Sequence, residues 1–262
     1  MTEVPPRRRL AAALVTSFLL PTLTGCAPTG AAPPAGPRPA GGQVLPTISA
    51  HTADLEAMPG YFPLYWDAEE GRLLLEVSRV DAPFLYLTSL ATGVGSNDLG
   101  LDRGEILDEH IARFRRVGPR VLLELENPRF RAASGSTEAL ERSVEESFPT
   151  SVVGGFEAVA EEDGRVLVDA TTFFLRDATD LAGYLQRAGE GAFRLDRERS
   201  AIHLPRTKSF PENTEVEAAL TFASDAPGGD VRRHTPDGRA LTIRQHHSLV
   251  RLPGPGYEPR RF

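Results

Sequence analysis

The sequence has a single cysteine, Cys26, so no intramolecular disulfide is available and no thiolate cluster can hold a metal. It has one tryptophan, two methionines and one lysine, Lys208; the remaining basic residues are arginine. Basic residues are outnumbered by acidic ones, giving a formal charge of −7. That balance excludes a protein built to track nucleic-acid phosphates. The longest apolar run, from Leu10 to Leu20, is too short for a permanent transmembrane helix, which needs about 20 residues. A fold without disulfide or metal staples rests on its apolar core, and the length suffices for one.

The amino terminus contains three features in order: basic Arg7-Arg8-Arg9, the apolar run, and Leu23-Thr24-Gly25-Cys26. This is the order of a bacterial secretory signal peptide ending in a lipobox, with Cys26 as the lipid-bearing residue. Ala27 rather than aspartate follows, which in a diderm cell predicts sorting to the outer membrane, facing the periplasm. Residues 1–25 are therefore read as the lipoprotein signal peptide. Residues 26–57, rich in proline, glycine and alanine, are read as the lipidated cysteine with a disordered tether, and residues 58–262 as the folded domain.

Within that domain the patterning predicts a β-rich α+β fold, mainly antiparallel, with two short helices. Period-two alternation marks strands at 72–80, 84–90, 111–117, 121–126, 152–160, 165–175, 214–223 and 240–252. Gly118-Pro119 and Asp163-Gly164 read as hairpin turns. Residues 138–148 place Leu140, Val144 and Phe148 on one helical stripe, which sets Glu145 and Glu146 on a solvated face rather than in a catalytic pair. Residues 177–187 read as a second helix with Asp177 at its amino end. Residues 200–213 read as an extended connection, and the aromatic segment Tyr61, Phe62, Leu64, Tyr65 and Trp66 as core.

The most specific stretch is residues 93–104, Gly93-Val94-Gly95-Ser96-Asn97-Asp98-Leu99-Gly100-Leu101-Asp102-Arg103-Gly104. Its glycines permit left-handed backbone or close approach, and its Asn and Asp residues can bond local amides, so its shape is expected to be held without a large apolar core. It fits neither a dinucleotide fingerprint nor a P-loop, and Ser96 does not sit in a nucleophile elbow. Asp98 and Asp102 lack the spacing of an EF-hand. Gly93, Gly95, Asn97, Asp98, Gly100, Asp102, Arg103 and Gly104 are therefore read as a docking or cleft-shaping loop rather than a catalytic centre. Among the histidines no His-Glu-x-x-His occurs, and the adjacent His246 and His247 must point to opposite faces of one strand. No catalytic residue, metal ligand or cofactor is assigned to this chain.

The loop, with Glu145-Glu146-Ser147-Phe148, Val168-Asp169-Ala170-Thr171, Leu204-Pro205-Arg206-Thr207-Lys208, Phe210-Pro211-Glu212-Asn213-Thr214-Glu215 and the closing residues Gln245-His246-His247-Ser248 to Tyr257-Glu258-Pro259-Arg260-Arg261-Phe262, forms an ordered set. Together these segments resemble the amino-terminal domain, of uncharacterised function, of large bacterial zinc-dependent metallopeptidases in which a metzincin-like catalytic domain follows. The resemblance implies an accessory domain of a secreted, lipid-anchored metallopeptidase. Zinc is expected only in the catalytic domain, whose His-Glu-x-x-His-x-x-Gly-x-x-His motif this sequence lacks. The implied partners are the membrane, through the lipid, and a metallopeptidase catalytic domain. The reading of another class is a standalone envelope module that binds a peptide, a glycan or a partner protein.

Overall fold

The computed structural model describes residues 44–133, 135–254 and 256–258. The signal peptide, Cys26 and most of the predicted tether lie outside the described residues. No described helix is long and apolar enough to cross a membrane. The folded chain starts earlier than Met58: Thr47 caps α1 (Ile48–His51), whose Ile48 is buried, and β1 (Glu56–Met58) follows. Ile48 packs with Leu74, Ala160 and Leu167. One buried isoleucine thus recruits part of a stretch whose composition reads as tether.

Among the described residues twelve strands form one sheet. They are β1, β2 (Leu64–Asp67), β3 (Arg72–Val77), β4 (Pro83–Leu90), β5 (Ile106–Val117), β6 (Arg120–Leu125), β7 (Ser151–Glu162), β8 (Arg165–Asp169), β9 (Arg194–Ile202), β10 (Lys208–Ser209), β11 (Asn213–Ala223) and β12 (Ala240–Arg251). The spatial order is β1-β2-β3-β8-β7-β6-β5-β4-β12-β11-β10, with β9 also on β11, and every neighbouring pair is antiparallel. The sheet curls into a half-barrel. Its two ends meet where the Tyr61 amide donates to the Phe210 carbonyl at 2.7 Å and the Phe62 amide to Thr214 Oγ1 at 3.0 Å. Gly60 permits this closure, since a Cβ there would lie 2.6 Å from the Phe210 amide nitrogen.

Alternation decides which side chains fill the curl. Val216, Ala218, Leu220 and Phe222 of β11 face inward and are buried, as are Ala112 and Phe114 of β5. Phe62, Phe84 and Phe114 meet ring to ring at 5.1–5.4 Å. The predicted Asp163-Gly164 turn has φ of 49° and 77°, the left-handed pair that a tight hairpin needs.

There are five helices among the described residues rather than the expected two: α1, α2 (Glu138–Ser147), which buries no residue, α3 (Thr171–Phe174), α4 (Leu181–Arg187) and α5 (Gly229–His234). The strand predicted over residues 165–175 ends at Asp169. The Asp169 carboxylate accepts from the Thr171 amide and hydroxyl, which turns the chain into α3 and drives Phe173 and Phe174 inward. α4 begins four residues later than the predicted helix, yet Asp177 still serves its amino end, accepting from the Leu181 and Ala182 amides at 2.9 and 3.0 Å. The predicted connection over 200–213 starts inside β9 and includes a 3-10 turn, Leu204–Arg206. β9 is rich in charge because it lies on the far side of β11, where period-two apolar signal is weak.

Candidate functional site

Residues 93–104 lie between β4 and β5 and rest against the half-barrel. The backbone zips at the base, where the Gly104 amide donates to the Leu90 carbonyl at 2.7 Å and the Leu90 amide to the Glu105 carbonyl at 3.0 Å. Further out, the Val94 amide donates to the Leu101 carbonyl at 3.2 Å. Gly93 sits so close to this return strand that a Cβ would stand 2.6 Å from the Leu101 carbonyl oxygen. Gly95, Gly100 and Gly104 adopt φ between 60° and 88°.

The expectation that polar residues hold the loop does not match the structure. Val94, Leu99 and Leu101 are buried in a cluster with Leu90, Leu181, Leu185, Leu220 and Phe222. The Tyr184 hydroxyl of α4 donates to the Leu99 carbonyl. Asn97, Asp98, Asp102 and Arg103 are exposed, and their side chains have no hydrogen-bond or ion-pair partner among the described residues. The apolar residues are written into the motif, but only α4, distant in sequence, gives them somewhere to go.

The loop is tied to a polar ladder on the outer face of β11 and β12. Ala91 donates its amide to the Arg244 carbonyl at 2.8 Å, and the Arg244 amide donates to Thr92 Oγ1 at 2.8 Å. The Arg244 guanidinium reaches His203 Nε2 at 2.8 Å and lies 3.3 Å from Glu217 Oε2. His246 stands between two carboxylates, with Nε2 2.6 Å from Glu215 and Nδ1 3.6 Å from Glu217. Burial pushes the Glu215 carboxyl upward, but donors from His246, Ser248 and Asn213 outweigh it and hold the group below the ordinary carboxylate range. Alternation at Glu215, Glu217, Arg244, His246 and Ser248 is visible in the sequence. Their meeting depends on the register that sets Glu217 opposite His246, together with His203 arriving from the end of β9.

His247 points the other way, as strand geometry requires, and is fully buried. Tyr86 Oη lies 2.7 Å from its Nδ1 and Gln245 Nε2 lies 2.7 Å from its Nε2. Arg176 donates to Tyr86 Oη at 3.1 Å while its guanidinium stacks 4.3 Å over Phe173. Burial lowers the His247 pKa to about 3 and raises that of Tyr86 to about 12, so at neutral pH both are uncharged. Enclosed by Phe173, Phe174 and Tyr86, the imidazole has no route to a solvent-borne substrate, and its place is structural.

Among the described residues no group of three His, Cys, Asp or Glu side chains is arranged to hold a metal ion. Glu145 and Glu146 are exposed on α2. That helix buries no residue, although Phe148 stacks on Phe130 with centroids 4.0 Å apart. The two rings edge a groove of about 760 Å³ between α2 and the outer face of β5 and β6.

Neither the curated proteins nor the solved structures gave a match to this chain. A family model described as a domain of unknown function, DUF5117, matches residues 104–262. The match begins at the last glycine of the loop and takes in β5 to β12. The folded unit is larger, because β4 lies between β5 and β12 in the sheet. With more than half of its length matched, the chain belongs to the DUF5117 family.

Proposed function

We propose that this chain is the accessory amino-terminal domain of a secreted zinc metallopeptidase, held at the outer membrane by lipid on Cys26, and that its loop over residues 93–104 docks against or shapes the cleft of the catalytic domain. The observation that carries this reading is the division of labour within the loop. Val94, Leu99 and Leu101 fix its backbone in the core, while Asn97, Asp98, Asp102 and Arg103 stand in solvent without partners among the described residues. A loop ordered in advance loses little conformational entropy on binding, so polar groups presented this way favour a partner surface. The ordered set of motifs, from the loop to Gln245-His246-His247-Ser248, supplies the metallopeptidase side of the reading. Zinc and the general base would belong to the catalytic domain.

The test has two steps. Reading the DNA beyond the codon for Phe262 should reveal an in-frame or adjacent frame encoding His-Glu-x-x-His-x-x-Gly-x-x-His. Co-expression of that domain with this chain should give a complex that the triple variant Asp98→Ala, Asp102→Ala, Arg103→Ala weakens. Equal recovery with wild type and triple variant would remove the loop from the interface. Absence of any such frame would favour the envelope-binding module, for which the groove beside Phe130 and Phe148 is the natural surface.

A further inference from the structure

β5 is twelve residues long, but β6 pairs only with its second half. The ladder between them starts at Ala112 opposite Leu125, and the last bond across it runs from the Glu126 amide to the Ile111 carbonyl at 2.8 Å. There the chain leaves for α2, and it re-enters the sheet at β7. Residues 106–110 of β5 keep β4 on one side and have no strand on the other among the described residues. Backbone groups in an antiparallel sheet alternate between the two neighbours. The Phe114 carbonyl accepts from Asp81, on the β4 side, and the Ile111 carbonyl faces β6. Glu109 is two residues from Ile111 and directs its N–H and C=O the same way, into the gap that β6 leaves. By this alternation neither group belongs to the ladder with β4, and the pairing with β6 does not extend to Glu109.

Residues 106–110 hold no lysine or proline; the edge is guarded by a register shift between Asp108 and Ile106 and by acidic side chains, so an added strand must bring the opposite charge. Ile106 is 61% exposed beside it. Its charge is predominantly negative. Asp98, Asp102, Asp108 and Glu109 are exposed and Glu105 is half-buried, whereas Arg103 is the only arginine or lysine between residues 93 and 111. None of these five carboxylates forms an ion pair with an arginine or lysine among the described residues; Asp108 has only His110, at 3.8 Å.

We propose that residues 106–110 of β5 accept an extended, basic peptide segment by strand addition, continuing the line that β6 abandons. The incoming backbone satisfies the Glu109 amide and carbonyl. Its lysine or arginine side chains meet Asp108 and Glu109 on the two faces of the sheet, with Asp102 and Glu105 at the loop base. This rests on the accessory-domain reading only in naming the chemistry of the partner segment, and its test needs no catalytic domain.

The probe is a fluorescein-labelled decapeptide repeating Lys-Lys-Val-Val, which puts lysines on both faces of an added strand, titrated into the full chain and followed by polarisation at low salt. The same peptide with glutamate for lysine should bind at least about tenfold more weakly, as should a lysine peptide with a central proline. The double variant Asp108→Lys, Glu109→Lys should reverse the preference toward the glutamate peptide. Glu109→Pro removes the outward amide without touching the ladder to β4, and should weaken binding by a similar factor. Should that variant fail to fold, hydrogen exchange at the wild-type Glu109 amide is to slow when the lysine peptide is added. Equal binding of the two peptides, indifference to the charge reversal, or unchanged exchange at Glu109 overturns the proposal. So does concentration-dependent dimerisation that Glu109→Pro abolishes, which would assign the edge to a second copy of the chain. Because none of these measurements involves a catalytic domain, their failure would sink strand addition and leave the accessory reading in place.

Discussion

Acidification should destabilise this protein through His247 before its carboxylates titrate. The side chain is fully buried between Phe174 and Tyr86, and burial lowers its pKa from the ordinary 6.5 to about 3. In the unfolded chain the imidazole takes up a proton below about pH 6.5, while the folded protein excludes it. The folded state binds fewer protons, so stability is complete above the unfolded pKa and falls as pH drops toward 3. The loss is about 1.4 kcal/mol per pH unit within that window, or about 2 to 3 kcal/mol between pH 6.5 and 4.5. A domain with a total stability of about 5–15 kcal/mol registers that clearly. Glu215, whose carboxyl is held low, adds its own loss only below its ordinary pKa near 4.5, outside the window used. The assay is urea unfolding at pH 7.5, 6.5, 5.5 and 4.5 on wild type and His247→Gln. The variant should be less stable at pH 7.5, because Tyr86 Oη and Gln245 Nε2 each lose a buried partner at about 1–3 kcal/mol. Its stability should nevertheless decline less with acid, so the two curves converge as pH falls. Parallel curves would refute the claim that His247 is buried neutral.

Three further outcomes are expected. Leu99→Ala should cost about 2–5 kcal/mol and speed amide exchange across residues 93–104, because the side chain is buried against α4; a loss within 0.5 kcal/mol of zero would mean that the loop does not rest on the core. Asp98→Ala and Asp102→Ala should each stay within about 0.5 kcal/mol of wild type in thermal melts, with calcium or with chelator, since both carboxylates are exposed and unpaired among the described residues. A calcium-dependent rise in melting temperature that either variant removes would make them ion ligands instead. Growth with a palmitate analogue should label the wild-type protein and leave Cys26→Ala unlabelled; equal label on both would exclude the lipobox cysteine as the anchor.

Much of this protein was decided locally and is legible in the sequence. Alternation at Val216, Ala218, Leu220 and Phe222 fixed a buried strand face, Asp163-Gly164 fixed a hairpin, and adjacency sent His246 and His247 to opposite sides of β12, all because a strand repeats every two residues. The glycines of residues 93–104 marked a structured loop, and Asp177 marked the start of a helix. What the tertiary structure alone decided depends on register and on contacts between distant segments. Val94, Leu99 and Leu101 are ordinary apolar residues until α4 comes to lie against them. The Glu215, His246, Glu217, Arg244 and His203 ladder needs the pairing of β11 with β12 and the end of β9, and a shift of one residue would dissolve it. Asp169-Ala170-Thr171 looks like continuing strand until one carboxylate captures the Thr171 amide and hydroxyl and Phe173 and Phe174 find the inside of the half-barrel. The open edge at residues 106–110 exists only because β6 stops pairing at Leu125, and no local pattern in β5 announces where its neighbour will leave.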